Sequence, residues 1–403
     1  MRRRPIGILV LLAVTSLVAL AGGWTLMFYA AWTILFLILA AYLLSVVGLR
    51  ALYFDRRTRA LRAEVGSYFD ERIIVENRSW IPKLWLEIED QGQHPEHTAS
   101  FVVSLGPYGR FVRPVHTLCQ QRGVFQLGPV FAQSGDPFGL FRQRRQIDGA
   151  STLVVYPIAL PLPAFGRVDG ELTGGALQGE RVQHTTTNVS GVREYRPGDT
   201  FNRVHWRSTA RQRQLMVKEF ELDPFADIWI ALDLDERIMA GSGVESVEEY
   251  AVTICASLAK YFLDENRAVG FVAQGLHLAP DRGTRQLLKI LEVLAFVRPV
   301  RRGPLEELLV AEQRNFSRTD TIIVVTASRE DTWVSLMRSM RLRGVHGQSV
   351  LLDGSTFGRG VPSSLGVLGA LAAARVPTYV VKRGDSIQRA LASPAIGART
   401  VAV

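Results

Sequence analysis

Cysteine is almost missing from this chain: Cys119 and Cys255 are the two among 403 residues. Two isolated thiols build neither a disulfide framework nor a metal knuckle, which suits a reducing compartment. Cys255 lies in an apolar helical pattern and is expected as a small core residue. Motifs for nucleotide and hydrolytic chemistry are missing too: the sequence contains no Walker loop, no nucleophile elbow, no Cys-His pairing and no H-E-x-x-H. His94-Pro95-Glu96-His97 carries two histidines three apart, but catalytic zinc needs three protein ligands and none other is in view. The pattern there predicts a solvated polar turn. Gly354, Gly358 and Gly360 form a loop after a strand, without the lysine and helix of a phosphate cradle.

Charge is absent from one long stretch. Pro5 to Leu49 contains no Asp, Glu, Lys or Arg, and a helix needs about 20 apolar residues to cross the hydrocarbon core. The run is long enough for two crossings, broken at Ala21-Gly22-Gly23. A transmembrane hairpin is expected within residues 1–50, with spans near Ile6–Ala21 and Trp24–Gly48. Arg2, Arg3 and Arg4 precede it, and Arg50, Arg56, Arg57, Arg59 and Arg62 follow. The positive-inside rule then puts both ends, and the soluble chain, in the cytoplasm. A signal peptide ending at Ala19-Leu20-Ala21 is the alternative, and it leaves one span with the same orientation. The localisation expected is the inner (plasma) membrane, multi-pass.

The net charge of +9 sits mostly here, because residues 1–62 hold eight arginines and one aspartate. Topology and anionic headgroups account for them, so no nucleic-acid partner is expected.

Residues 61–156 read as β structure. Arg72–Val75, Leu84–Glu89, Ser100–Ser104 and Phe125–Gln126 alternate between turn signals, as in a compact immunoglobulin-like β-sandwich. Residues 157–190 are rich in glycine and poor in large apolar side chains, and predict a mobile linker or long loop. From 225 to 385 the periodicity is α/β. Strands are expected at Asp227–Leu234, Ala268–Ala273, Thr321–Thr326, Gln348–Leu352 and Thr378–Val381. Helices alternate with them at Glu245–Leu263, Thr284–Val297, Leu305–Asn315, Trp333–Leu342 and Ser363–Ala374. That order predicts a doubly wound parallel sheet. Residues 386–403 read as a weakly patterned tail. The fold class is thus α+β multidomain.

Between the β and α/β regions, residues 191–224 alternate arginines with aromatics. Pro197-Gly198-Asp199 predicts a tight turn, with Asp199 capping a helix that runs through Trp206 to about Gln212. Arg203, Arg207 and Arg211 then fall at i, i+4 and i+8, one basic stripe. A strand should follow from Leu215 to Phe220. Gly191, Arg193, Tyr195, Gly198, Asp199, Arg203, Trp206, Ala210, Arg211, Leu215, Val217 and Phe220 resemble the signature of a bacterial family of proteins of unknown function, numbered fifty-eight. Arg122-Gly123-Val124-Phe125, Leu127-Gly128-Pro129 and Asp136-Pro137-Phe138-Gly139-Leu140-Phe141 resemble it as well.

Open α/β sheets bind ligands beyond the carboxyl ends of their strands. Asp233-Leu234-Asp235-Glu236-Arg237 stands there on the first strand and resembles the start of the von Willebrand factor A metal motif, D-x-S-x-S. Asp233 matches the first position, while Asp235 and Arg237 replace the serines. Thr284 is the expectation for the distal threonine, and Ala327-Ser328 stands where the complete motif supplies Asp. A degenerate Mg²⁺ site at Asp233 and Asp235 is one reading; a hydrogen-bonded sheet-edge aspartate is the other. No resident cofactor is expected. Arg193, Tyr195, Asp199, Arg203, Trp206, Arg207 and Arg211 have two readings of their own, a partner surface or an interdomain seam. His205 among them is expected to pack or cap.

The family resemblance implies a membrane-anchored, non-enzymatic scaffold or adaptor partnered with a MoxR-type AAA+ ATPase, its oligomeric state open. The competing expectations are a Mg²⁺-dependent hydrolase using Asp233, Asp235 and Glu236, and a binder of anionic lipid or nucleic acid through the arginine stripe.

Overall fold

The computed structural model describes residues 4–163, 165, 185–195, 204–222, 226–301, 303–358 and 360–396. The chain forms two compact units, Met1–Ile158 and Ala159–Val403.

The first unit opens with helices α1 (Arg4–Gly22) and α2 (Thr25–Gly48). Gly23 between them adopts φ 63°, a left-handed conformation open to glycine, and so makes the expected break. Helix α2 is long and apolar enough to cross a membrane, whereas the apolar part of α1, Ile6–Gly22, is shorter. The 24 residues of α2 rise about 36 Å, more than the hydrocarbon thickness. Its large side chains face outward, Leu26 at 71% and Phe36 at 69% exposure. Near its end the pattern changes, and Ala41, Ser45 and Gly48 are buried.

Ten strands follow: β1 (Leu52–Thr58), β2 (Arg62–Glu64), β3 (Tyr68–Asn77), β4 (Lys83–Asp90), β5 (Phe101–Leu105), β6 (Arg110–Leu118), β7 (Gly123–Leu127), β8 (Val130–Gly135), β9 (Arg142–Asp148) and β10 (Ser151–Tyr156). They make sheets of order β1-β3-β6, β5-β4-β8-β9 and β2-β10-β7. The first two share one core, in which Ile73, Val75 and Val115 meet Leu86, Ile88, Val103 and Ala132. Period-two alternation explains it: on β3, Phe69, Glu71, Ile73 and Val75 all point inward. The third sheet has its own small core of Phe69, Cys119, Leu127, Leu153 and Val155.

In the second unit β11 (Thr185–Glu194) pairs antiparallel with β12 (Met216–Leu222), and α3 (Trp206–Gln212) lies between them in sequence. The main sheet contains β13 (Ile228–Leu232), β14 (Val269–Ala273), β15 (Leu276–Asp281), β16 (Thr321–Thr326), β17 (His346–Leu352) and β18 (Thr378–Val381). Its order is β15-β14-β13-β16-β17-β18, parallel except for β15. Alternate residues of β13 enter two cores. Ile228, Ile230 and Leu232 pack with α4 (Val247–Asp264) and α5 (Gly283–Phe296). Trp229 and Ala231 pack with α6 (Leu305–Glu312), α7 (Thr332–Leu342) and α8 (Leu365–Ala373). Both faces are covered, as near-continuous apolar strands require.

Three expectations change. The half-buried edge strand β15 was not anticipated. The tail carries α9 (Ile387–Ala390), buries Ile387 and Leu391, and bridges Ile396 to Thr378. Part of the expected linker is structured: Leu162 and Phe165 are buried in the α/β core, with Phe165 stacked 4.6 Å from Tyr379, and β11 begins at Thr185. Residues 166–184 of that segment lie outside the described residues.

Phe165→Ala should therefore destabilise the second unit by about 3–5 kcal/mol, the cost of emptying an aromatic core position. Chemical denaturation of the full-length chain in detergent checks this. No change in midpoint would return Phe165 to the linker.

Candidate functional site

Asp233 follows the last residue of β13, and its N–H donates to the Val325 carbonyl of β16 at 3.0 Å. The side chain is buried. Oδ1 accepts from Gln274 Nε2 at 3.0 Å and from the Asp235 N–H at 3.2 Å, while Oδ2 accepts from Thr326 Oγ1 at 2.7 Å. Gln274 also accepts the Leu234 N–H through Oε1 at 2.8 Å. Burial raises the Asp233 pKa above the ordinary carboxylate value, against the lowering effect of the Thr326 and Gln274 hydrogen bonds.

Asp235 is treated differently. Its Oδ1 accepts the Arg237 N–H at 3.0 Å and Nε at 3.1 Å, and Oδ2 accepts Nε at 2.9 Å and Nη2. Burial pushes its pKa up, but Arg237's hydrogen bonds and charge outweigh this and hold it below the usual value. Glu236 pairs with Arg301 at 2.7 Å. Above these groups lies a cavity of about 180 Å³ lined by Asp233, Asp235, Arg237, Pro304, Ser328 and Glu330. A larger depression of about 640 Å³ beside it is lined by Glu236, Arg301 and Glu307 as well.

A hard cation needs several oxygen ligands with lone pairs to give. Here the described donors already occupy both carboxylates, and the Arg237 guanidinium holds the place of a cation on Asp235. The residues do not fit Mg²⁺. Thr284 does not complete the set either. Asp281 pairs with Val269 at the amino end of β14, so Thr284, at the start of α5, stands at the edge opposite Asp233. Thr326 and Gln274 take the positions beside Asp233, and neither was anticipated. Both follow from the strand order, because β14 and β16 flank β13.

The arginine-aromatic segment is placed in part. Tyr195 N–H donates to Leu215 O at 2.8 Å, and His205 N–H to Met216 O at 2.7 Å. Helix α3 is capped by His205, whose Nδ1 accepts the Ser208 N–H at 3.3 Å; the cap is therefore not Asp199. Asp199 and Arg203 lie outside the described residues. Arg193 stands in β11 opposite Val217. Trp206 is 65% exposed, and Arg207 and Arg211 are exposed one turn apart on α3.

One cluster escaped the sequence altogether. His97, expected in a solvated turn, is buried, with Nε2 3.1 Å from Asp90 Oδ2 and Nδ1 3.0 Å from Thr117 Oγ1. His94 is buried too, its ring 4.6 Å from that of Phe125. Glu71, Asp90 and His97 bring ligand-type atoms within 4.8 Å of one another. Arg56 pairs with Asp90, and its Nε lies 3.5 Å from Glu71. Burial raises the Glu71 pKa against the pull of Arg56 and His97. For Asp90 burial also works upward, but His97, Arg56 and the Gly128 N–H prevail and lower it. The inward alternation of β3 was the signal available for Glu71.

The second unit is a mixed α/β fold in which a buried aspartate follows the central strand β13. Within it, residues 191–345 match the family model described as "Protein of unknown function DUF58". The chain is also 24% identical over 336 residues to "Uncharacterized protein YeaD" of Bacillus subtilis (strain 168), covering 79% of this chain and 81% of that protein. Both findings support the resemblance to that family. Among solved structures, the CARDB domain of PF1109 from Pyrococcus furiosus is 15% identical, covers 27% of this chain and 87% of its own, and has a TM-score of 0.20. The cupredoxin domain of amoB from Nitrosocaldus yellowstonii is 10% identical over 29% of this chain and 97% of its own, with a TM-score of 0.19. Likenesses that weak carry no argument about fold or function.

Arg56→Ala leaves two buried carboxyls without their cation and should cost about 3–5 kcal/mol at about pH 7. Their folded-state pKa values then rise above the unfolded ones, so stability is lost as pH rises through them. The deficit should shrink toward about pH 4.5, where carboxyls protonate. Denaturation of both chains across that range checks the sign; a pH-independent deficit contradicts it.

Proposed function

We propose that this protein is a non-enzymatic scaffold, anchored in the inner (plasma) membrane by the α1–α2 hairpin with its soluble units in the cytoplasm. There it presents client proteins or complexes to a MoxR-type AAA+ ATPase. The observation that supports this reading best is the state of the sheet-edge acids. Asp233 is tied to Thr326 and Gln274, and Asp235 to Arg237, which leaves the strand end as a surface more than a reacting centre. The α/β unit resembles a von Willebrand A-like recognition domain whose metal has been replaced by an internal cation. Trp206, Arg207 and Arg211 supply the exposed aromatic and cationic side chains typical of interface anchors.

Arg207→Glu should lower the amount of AAA+ ATPase that co-purifies with the full-length chain about tenfold, with its unfolding midpoint unchanged. Unchanged capture by a folded variant removes α3 from the interface. Turnover of a phosphate or peptide ester lost on Asp233→Asn would favour a hydrolase instead.

A further inference from the structure

Helix α2 does not end in free solvent. Its last turns are held by the β layers of the same unit: Tyr42 meets the Phe141 ring edge-on at 5.6 Å, and Lys83 Nζ donates to the Val47 carbonyl at 2.6 Å. A Cβ added at Gly48 would collide with Ser134, so strand and helix touch directly. Beside this junction is a cavity of about 440 Å³ lined by Leu44, Lys83, Leu84, Trp85, Pro137 and Arg142, among others. That volume falls in the range of small-molecule sites, roughly 300–1,000 Å³.

The cavity holds two cationic and two acidic side chains, and the acids are engaged by neutral N–H groups of the chain. Asp136 accepts the N–H groups of Phe138 at 2.9 Å and Phe141 at 2.6 Å, and Glu87 accepts from Gln133 at 3.1 Å. Lys83 is 2% exposed, and an ammonium has three N–H donors, of which one meets the helix carbonyl. Burial accordingly lowers its pKa. Of the lining residues, Leu84 and Trp85 are exposed at 63% and 60%, and Trp80 and Phe138, close to the lining in sequence, at 71% and 59%. Amphipathic aromatics beside cationic side chains, at the point where an apolar helix ends, are the composition of a membrane–water interface.

We propose that this cavity binds one anionic phospholipid of the leaflet into which α2 emerges. Its phosphate sits at Lys83 and Arg142, and its first acyl carbons lie against Leu44, Leu84 and Trp85. The site rests on the reading of α2 as a membrane span. It seats the first unit on the bilayer surface and selects anionic over zwitterionic headgroups.

The test uses the full-length chain in nanodiscs of phosphatidylcholine, with or without phosphatidylglycerol carrying a photoactivatable acyl chain. Crosslinks should concentrate at residues 82–85, 134–137 and 142. Native mass spectrometry should show one retained phosphatidylglycerol, with occupancy reduced about tenfold in Arg142→Gln. Lys83→Met also removes the helix cap and can unseat α2, so Arg142→Gln and Trp85→Ala serve as the folded variants. Labelling scattered over the first unit, or equal occupancy in Arg142→Gln, overturns the site. Displacement of the lipid by free inorganic phosphate also overturns it, in favour of a soluble-phosphate site. Alkaline washing separates the two readings: a chain that washes off membranes fails as an anchor, whereas a retained chain without labelling fails only as a lipid site.

Discussion

Strand β13 is hydrogen-bonded to β14 on one edge and β16 on the other, and both of its faces are buried. The second unit is built outward from that constraint. Two cores form because successive side chains of β13 point in opposite directions, and helices must cover each. The same pairing puts the carboxyl ends of the three strands side by side, so Asp233, Gln274 and Thr326 meet at one point. Trp229 shows the cost of the arrangement and its remedy: its indole N–H is buried and donates to Asp320 at 3.1 Å.

A shared electrostatic habit runs through both units. In each unit an arginine of the chain itself sits against acidic side chains, Arg237 on Asp235 and Arg56 on Asp90 and Glu71, while Asp233 is held by neutral donors instead. A guanidinium can hold two oxygens at fixed geometry, and it stays charged at any physiological pH. At Asp235 that guanidinium stands where a bound cation would otherwise sit.

Much of this was legible in the residues. Thr321–Thr326 and Thr378–Val381 are strands at the bounds expected from their apolar runs, and the break at Gly22-Gly23 separates two helices. Strand β15 was missed because its alternating pattern is half exposed and follows β14 by a tight turn at Gly275. The burial of Glu71 could be read from the phase of Phe69, Ile73 and Val75. Its meeting with Arg56, Asp90 and His97 could not, because that depends on which strands pair across tens of residues. Phe165 shows the opposite failure: a glycine- and proline-rich context hid one aromatic that packs into a core. Helix α3 ends at Gln212 as expected but begins only at Trp206, because the His205 imidazole, not Asp199, accepts the first-turn Ser208 N–H.

In-cell crosslinking of the full-length protein, read by mass spectrometry of the membrane extract, bears most directly on the scaffold reading. It predicts crosslinks from the second unit, concentrated near α3, to an AAA+ ATPase. Abundant crosslinks to nucleic acid or to lipid-modifying enzymes, and none to such an ATPase, would contradict it.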